Sequence, residues 1–262
     1  MVAQICFSSL ILALLLVVAY GGTAAVKFGY YGAVGPEKWG SLSPTYSECS
    51  KGKSQSPINI IKNDTVLDSN LKPLIRDYEI ANATLVNNVC NIGVHFDNGC
   101  GALIIDGKNY KLIQLHWHSP SEHQINGVHY PLELHLVHLA EDGARSVVAV
   151  LYKYGPENPF IAKIHNGLGK LAKNEYGNGH VPLEQLDVKP LKKKTSKYFR
   201  YIGSLTTPPC TENVIWNVLG KARTVSKEQV EALKAPLEKA YKHNNRPVQP
   251  LNGRKVSLYK ET

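Results

Sequence analysis

Residues 114–138 read Q-L-H-W-H-S-P-S-E-H-Q-I-N-G-V-H-Y-P-L-E-L-H-L-V-H and hold six of the chain's ten histidines. Apolar and polar residues alternate at both ends of the stretch, the pattern of β-strands, and Ile125-Asn126-Gly127 supplies the turn region between them. Side chains two apart on a strand share a face. Gln114, His116 and His118 therefore point one way. In the second run Glu133 and His135 share a face, and His138, three residues on, takes the other. Paired as a hairpin, the two strands bring His116, His118 and His135 to one point.

Three neutral imidazoles on rigid strands are what a catalytic zinc requires, with its fourth position left to water. A ligating histidine also needs its other ring nitrogen held by a partner, and Gln114 and Glu133 are in phase to supply one. The competing reading is of strand histidines whose rings are merely hydrogen-bonded or solvated. It accounts for a lone His-x-His better than for a third histidine with two polar companions on the same face.

Outward from this stretch the chain is turn-rich, with 15 prolines and 21 glycines among short β-rich runs. Residues 78–96 and 102–105 read as strands broken by a hairpin turn at Asp97-Asn98-Gly99. Residues 146–154 (S-V-V-A-V-L-Y-K-Y) are nearly continuously apolar, as in a central strand buried on both faces. Residues 201–219 read as strand, tight Thr206-Thr207-Pro208-Pro209 turn, strand, and Ser54 to Ile61 as a turn leading into a strand. Helical spacing occurs over 159–174 and again after Ser226, where Gln229 completes a capping box and Pro236 ends the run. Residues 26–52, rich in Gly, Pro, Tyr and Trp, predict an irregular segment pinned by aromatics rather than a helix. Residues 244–250 (N-N-R-P-V-Q-P) are extended. No repeat or hydrophilic linker divides the chain of 262 residues, so one large domain is expected.

Residues 1–25 read as a secretory signal peptide: an apolar run from Ile5 to Ala19, then small residues Thr23-Ala24-Ala25 for cleavage. The mature domain then spans 26–262, without a later stretch apolar enough to span a membrane. Removal of Cys6 with the leader leaves Cys49, Cys90, Cys100 and Cys210, an even number suited to at least one bridge in an oxidising compartment. Asn63-Asp64-Thr65 and Asn82-Ala83-Thr84 are N-glycosylation sequons. Net charge is +9, part of it concentrated in residues 189–200 (K-P-L-K-K-K-T-S-K-Y-F-R). An exported chain without interleaved aromatics or a nucleic-acid-binding fold is not expected to bind nucleic acid. The run reads instead as a solvated basic loop able to meet acidic surfaces.

Several motifs in one order resemble the α-class carbonic anhydrases. They are G-P-E-K-W-G at 35–40, Q-S-P-I-N-I at 55–60, Q-L-H-W-H at 114–118, S-E-H at 121–123, E-L-H-L-V-H at 133–138, G-S-L-T-T-P-P-C-T-E at 203–212 and N-N-R-P-V-Q-P-L at 244–251. Together they cover nearly the whole mature chain, and the compact H-W-H-S-P-S-E-H is similar to the plant members. The resemblance implies a mainly β (α+β) single domain around a large, twisted, mostly antiparallel sheet with short peripheral helices. It makes His116, His118 and His135 the ligands of Zn2+, oriented by Gln114, Glu133 and the backbone of Asn244. It assigns Thr206 as the gatekeeper whose hydroxyl donates to buried Glu122. Val137, Val147, Leu205 and Trp216 become the apolar wall for carbon dioxide, with Thr207 beside them, and Cys49–Cys210 the disulfide of exported members.

The implied activity is zinc-dependent, reversible hydration of carbon dioxide to bicarbonate and a proton by attack of zinc-bound hydroxide, with sulfonamide-type inhibitors expected. The implied location is the secretory route, ending in the apoplast, the vacuole or a plastid. One departure stands out. Cys90 occupies the position where many fast members carry a proton-shuttling histidine, and a thiol with pKa about 8.5 accepts a proton poorly at neutral pH. Proton release is therefore expected to limit turnover. His95 is out of phase with Cys90 and is not expected to replace it. Cys90 and Cys100 are left as bridged, free or intermolecular. The alternative function is a weakly active or non-catalytic plant storage or secreted protein on the same fold; retention of all three histidines with Glu122 and Thr206 argues for catalysis.

Overall fold

The computed structural model describes residues 27–175, 177, 179–192 and 195–261; the signal peptide read at 1–25 lies outside them. The strands are β1 (Asn59–Ile60), β2 (Val66–Leu67), β3 (Ile75–Asp77), β4 (Ile80–Asn87), β5 (Ile92–Phe96), β6 (Ala102–Ile105), β7 (Lys108–His118), β8 (Gln124–Ile125), β9 (Leu132–Leu139) and β10 (Arg145–Tyr154). They continue as β11 (His180–Asp187), β12 (Lys197–Ser204), β13 (Glu212–Leu219), β14 (Arg223–Val225) and β15 (Ser257–Lys260). All but the parallel β1–β8 pair join one sheet with the central order β11-β4-β5-β7-β9-β10-β13-β12-β15-β2. Its pairs are mostly antiparallel; β10–β13, β10–β14 and β15–β2 run parallel.

The expected central strand is β10. It lies between β9 and β13, and residues Ser146 to Tyr152 are all buried. One face of the sheet packs under helix and loop, where Tyr152, Phe160, Ile164 and Leu168 are among the fully buried side chains. The other face carries a smaller apolar cluster including Val137, Val147, Val214 and Trp216.

The helices are α1 (Trp39–Leu42), α2 (Glu48–Lys51), α3 (Pro159–Ala172) and α4 (Lys227–Lys234). The long one, α3, starts where Asn158 accepts from the amides of Phe160 and Ile161. In α4 the Ser226–Gln229 capping box forms in both directions, and the helix stops before Pro236. The segment expected to be irregular does contain α1 and α2, each one turn long. Its aromatics do pin it: the Trp39 indole donates to Gly29 O, and Phe28 and Tyr30 meet its ring edge-on.

The hairpin expected at Asp97-Asn98-Gly99 does not form. Both edges of β5 are already paired, with β4 and β7, so the chain steps aside and β6 pairs with β7 further along. The two-residue hairpin is instead Asp106-Gly107, joining β6 to β7 with both residues at positive φ (51° and 79°). The basic run at 189–200 is also less of a loop than expected: residues 189–192 form a 3-10 turn and Lys197 onward belongs to β12.

Cys49 and Cys210 are bridged, tying the N-terminal segment to the loop before β13. Cys90 and Cys100 are free thiols at opposite ends of β5, and the Cys100 thiol donates to Glu79 O. No helix among the described residues is long and apolar enough to cross a membrane.

Candidate metal centre

Sheet register assembles the centre. Gly93, His116, His135 and Ala149 are successive cross-strand partners on β5, β7, β9 and β10. One step along, Gln114, Val137, Val147 and Trp216 form a parallel row through β13. Cross-strand partners share a face, so the histidine row lies beside an apolar row. The ligating nitrogens available on His116, His118 and His135 lie within 4.8 Å of one another. His138 is buried on the opposite face, where Tyr78 Oη and Ser146 O hold its two nitrogens.

Each ring is oriented through its other nitrogen. His116 Nδ1 donates to Gln114 Oε1 at 2.9 Å, His118 Nδ1 to Asn244 O at 2.6 Å and His135 Nε2 to Glu133 Oε1 at 2.8 Å. These bonds leave Nε2 of His116 and His118 and Nδ1 of His135 facing inward. His118 Nε2 is buried without a hydrogen-bond partner, a costly state that a cation would relieve. Burial lowers the pKa of all three imidazoles, that of His118 to about 4. They are therefore neutral at neutral pH, as metal ligands must be.

His123, Glu133 and His135 form a second cluster with ligand-like spacing. Their atoms are already committed to one another. Glu133 Oε1 accepts from His123 Nδ1 (2.6 Å) and His135 Nε2, while Oε2 accepts from the amides of Glu122 and His123, both at 2.8 Å. Burial by itself would raise this carboxylate, but the adjacent His123 and His135 and the hydrogen bonds they donate hold it well below its ordinary pKa. His123 Nε2 in turn accepts from Tyr201 Oη at 2.7 Å, and Tyr201 Oη bonds Ser56 Oγ at 2.8 Å. This cluster is a hydrogen-bond array that fixes the orientation of His135. Sequence reasoning gave Glu133 its place but missed His123 and Tyr201. The S-E-H motif contained the signal for His123; Tyr201 lies 78 residues further on and no local pattern marks it.

Glu122 is fully buried. Its Oε1 accepts from Arg246 N at 2.9 Å, and its Oε2 lies 3.5 Å from His118 Nε2 and 3.9 Å from His135 Nδ1. Burial pushes its pKa up to about 7, against the opposing effects of His135, the Thr206 hydroxyl and the Arg246 amide. Oε2 makes no hydrogen bond of normal geometry, although Thr206 is near enough to favour the ionised form. Arg246 anchors this corner: its guanidinium donates to Gln55 Oε1, Ser56 O and Cys49 O, each at 2.8 Å, and stacks over Trp39. Sequence reasoning left Arg246 out.

Val137, Val147 and Trp216 are buried, Leu205 packs against them, and the Trp216 ring lies 4.8 Å from that of His135. Thr207 follows Leu205 and Thr206 in the turn before Cys210, whose amide donates to Thr207 O. Cys90 sits in the turn joining β4 to β5, where Asn244 Nδ2 donates to its carbonyl, and burial pushes its thiol up to about 11. His95 is placed differently from expectation. It pairs with Gln114, which puts it on the histidine face. Phase counted from Cys90 misled because Cys90 lies off the strand.

A model of the eukaryotic-type carbonic anhydrase family matches residues 34–260. The chain belongs to that family. Its relatives include alpha carbonic anhydrase 7 of Arabidopsis thaliana, 45% identical over 226 residues (86% of this chain, 82% of the relative), and dioscorin dioA3 of Dioscorea japonica, 39% identical over 230 residues (87% and 83%). Among solved structures, dioscorin complexed with ascorbate matches with a TM-score of 0.87 at 36% identity, covering 90% of this chain and 99% of that one. The α-carbonic anhydrase of Thermovibrio ammonificans, in complex with the inhibitor sulfanilamide, matches at 0.79 and 40% identity, covering 89% and 100%. This carbonic anhydrase fold and its plant-type kinship agree with the motif reading.

Proposed function

We propose that this chain hydrates carbon dioxide reversibly to bicarbonate and a proton, with Zn2+ held by His116, His118 and His135. The observation that carries the proposal is the trio of neutral imidazoles, His118 and His135 buried and His116 half-buried, whose outer nitrogens are all occupied, leaving three inward lone pairs and an orphaned His118 Nε2. Zinc bound by three histidines with an open position lowers the pKa of a coordinated water to about 7, which supplies a nucleophile at neutral pH.

The protein's own groups do the remaining work. Gln114, Glu133 and the Asn244 carbonyl hold the rings in one tautomer and orientation. Glu122, positioned by the Arg246 amide, accepts the Thr206 proton, so that the Thr206 oxygen can only accept from the nucleophile and thereby aims its lone pair. Val137, Val147, Leu205 and Trp216 offer carbon dioxide a site free of competing donors, with Thr207 at its edge. Apolar walls also hold water away, which strengthens the polar interactions inside.

The released proton has a poor carrier at Cys90, whose thiol stays protonated. His95 is a solvent-accessible imidazole on the same face. Partial burial and neighbouring His180 hold its pKa below the usual value, so it is neutral and able to accept, though weakly. Proton release then limits turnover. The alternative, a weakly active or non-catalytic storage protein, is kept in view by the likeness to dioscorin. Stopped-flow carbon dioxide hydration with and without sulfanilamide separates the two: inhibitable turnover supports the enzyme, and a rate equal to the uncatalysed one discards it.

Delivery through the secretory route belongs to the same proposal, supported by the Cys49–Cys210 bridge. Asn63 and Asn82 are both exposed, as glycan attachment requires.

A further inference from the structure

A cavity of about 450 Å3 opens beside the start of α3, between β12, the residues following β13, and β14. None of its lining residues is among the proposed metal ligands, their hydrogen-bond partners or the apolar row beside them. Its size is within the range of small-molecule sites, about 300–1,000 Å3. Ala222 and the buried Phe160 and Leu219 floor it, the last two exposing almost no surface. Around them stand four cations, Lys153, Lys197, Lys221 and Arg223, with the hydroxyls of Ser196 and Thr224, and no Asp or Glu among the described lining residues.

The charge here is not neutralised within the described residues. None of Lys153, Lys197 and Lys221 takes part in an ion pair there. Arg223 is fixed in place: Nη1 donates to Pro190 O and Nη2 to Leu191 O, both at 3.2 Å. The buried Arg76 donates to the same Leu191 carbonyl, so two guanidiniums converge beneath one wall. Pro190, Ser196 and Lys197 come from the basic run that the proposed hydration chemistry does not use. Like charges brought around a concave, partly apolar space repel one another unless an anion joins them.

We propose that this cavity binds a small phosphate-bearing molecule, the phosphate held by Lys153, Lys221 and the Arg223 N–H groups not committed to Pro190 and Leu191. Lysine ammoniums serve phosphate as point charges, and the cavity volume leaves room for the rest of the molecule.

Calorimetric titration of the mature protein with adenosine monophosphate, adenosine and inorganic phosphate tests the idea. Adenosine monophosphate is expected to bind at least about tenfold more tightly than adenosine, with inorganic phosphate binding too. Its affinity is expected to fall by about tenfold or more in Lys153→Ala/Lys221→Ala, two exposed positions, with carbon dioxide hydration unchanged. Equal binding of adenosine, an unaltered affinity in the double variant, or displacement of the nucleotide by sulfanilamide would each overturn the proposal. So would binding of a sulfated polysaccharide to this face with no binding of the nucleotide.

Discussion

Glu133→Gln is a nearly isosteric change whose consequences follow from four hydrogen bonds. The carboxylate accepts two imidazole N–H groups on Oε1 and two backbone amides on Oε2. A glutamine amide offers one oxygen. Whichever way it is turned, its NH2 faces two fixed donors. Hydrogen bonds to a charged group contribute about 1.5–3 kcal/mol each, so losing two costs about 4 kcal/mol. For a domain of this size that corresponds to a fall of about 8–16 °C in Tm. Because His135 also loses its orienting partner, zinc affinity should drop by about 10–100-fold. Thermal unfolding of the metal-free variant and competition for zinc against a chelator measure the two effects separately. A melting point within about 2 °C of the parent, together with unchanged zinc affinity, would refute the reasoning that this carboxylate organises both the fold and the metal trio.

Cys90→His places an imidazole in the turn between β4 and β5 in place of a thiol pushed up to about 11. Turnover at low buffer should rise, and added imidazole should rescue the parent more than the variant; absence of both effects removes proton release as the limit. Arg246→Lys cannot reproduce the three carbonyl contacts to Gln55, Ser56 and Cys49; it should lower stability by about 2–4 kcal/mol in urea unfolding, and wild-type stability would contradict this. Loss of the Cys49–Cys210 bridge in Cys49→Ser/Cys210→Ser should cost about 2–5 kcal/mol, read in the same assay, and an unchanged midpoint would count against it. Acid should destabilise the metal-free protein in a particular window. His118 and His138 have folded pKa values lowered to about 4 and about 3, so the unfolded chain takes up protons first and stability is lost as pH falls below about 6.5. Glu122, raised to about 7, acts oppositely between about 4.5 and 7, whereas Glu133, held low, adds to the loss below about 4.5. The steepest decline is therefore expected between about pH 4.5 and 3, and a urea midpoint flat across that interval would contradict it.

Much of the centre was legible because strands have a period of two. That period alone placed Gln114, His116 and His118 on one face and turned His138 away, and the register bears it out. Capping chemistry likewise located the start of α4, since Ser226 and Gln229 act over a single turn. What the sequence did not disclose depends on distant pairing. Asp97-Asn98-Gly99 has the composition of a hairpin turn, but occupied edges on both sides of β5 override it. His95 was misplaced because its face is set by pairing with Gln114, not by its distance from Cys90. Arg246 and Tyr201 serve the site through partners far away in the chain, and nothing beside them in sequence reports those partners. The cavity beside α3 is built from three separated segments and was equally invisible.

The central claim is that three ring nitrogens of set identity share one cation. Zinc K-edge anomalous diffraction from crystals of the zinc-loaded protein tests it most directly. The account predicts a single full-occupancy zinc bound by Nε2 of His116, Nε2 of His118 and Nδ1 of His135. Zinc among His123, Glu133 and His135, or no zinc at the trio under saturating metal, would contradict it.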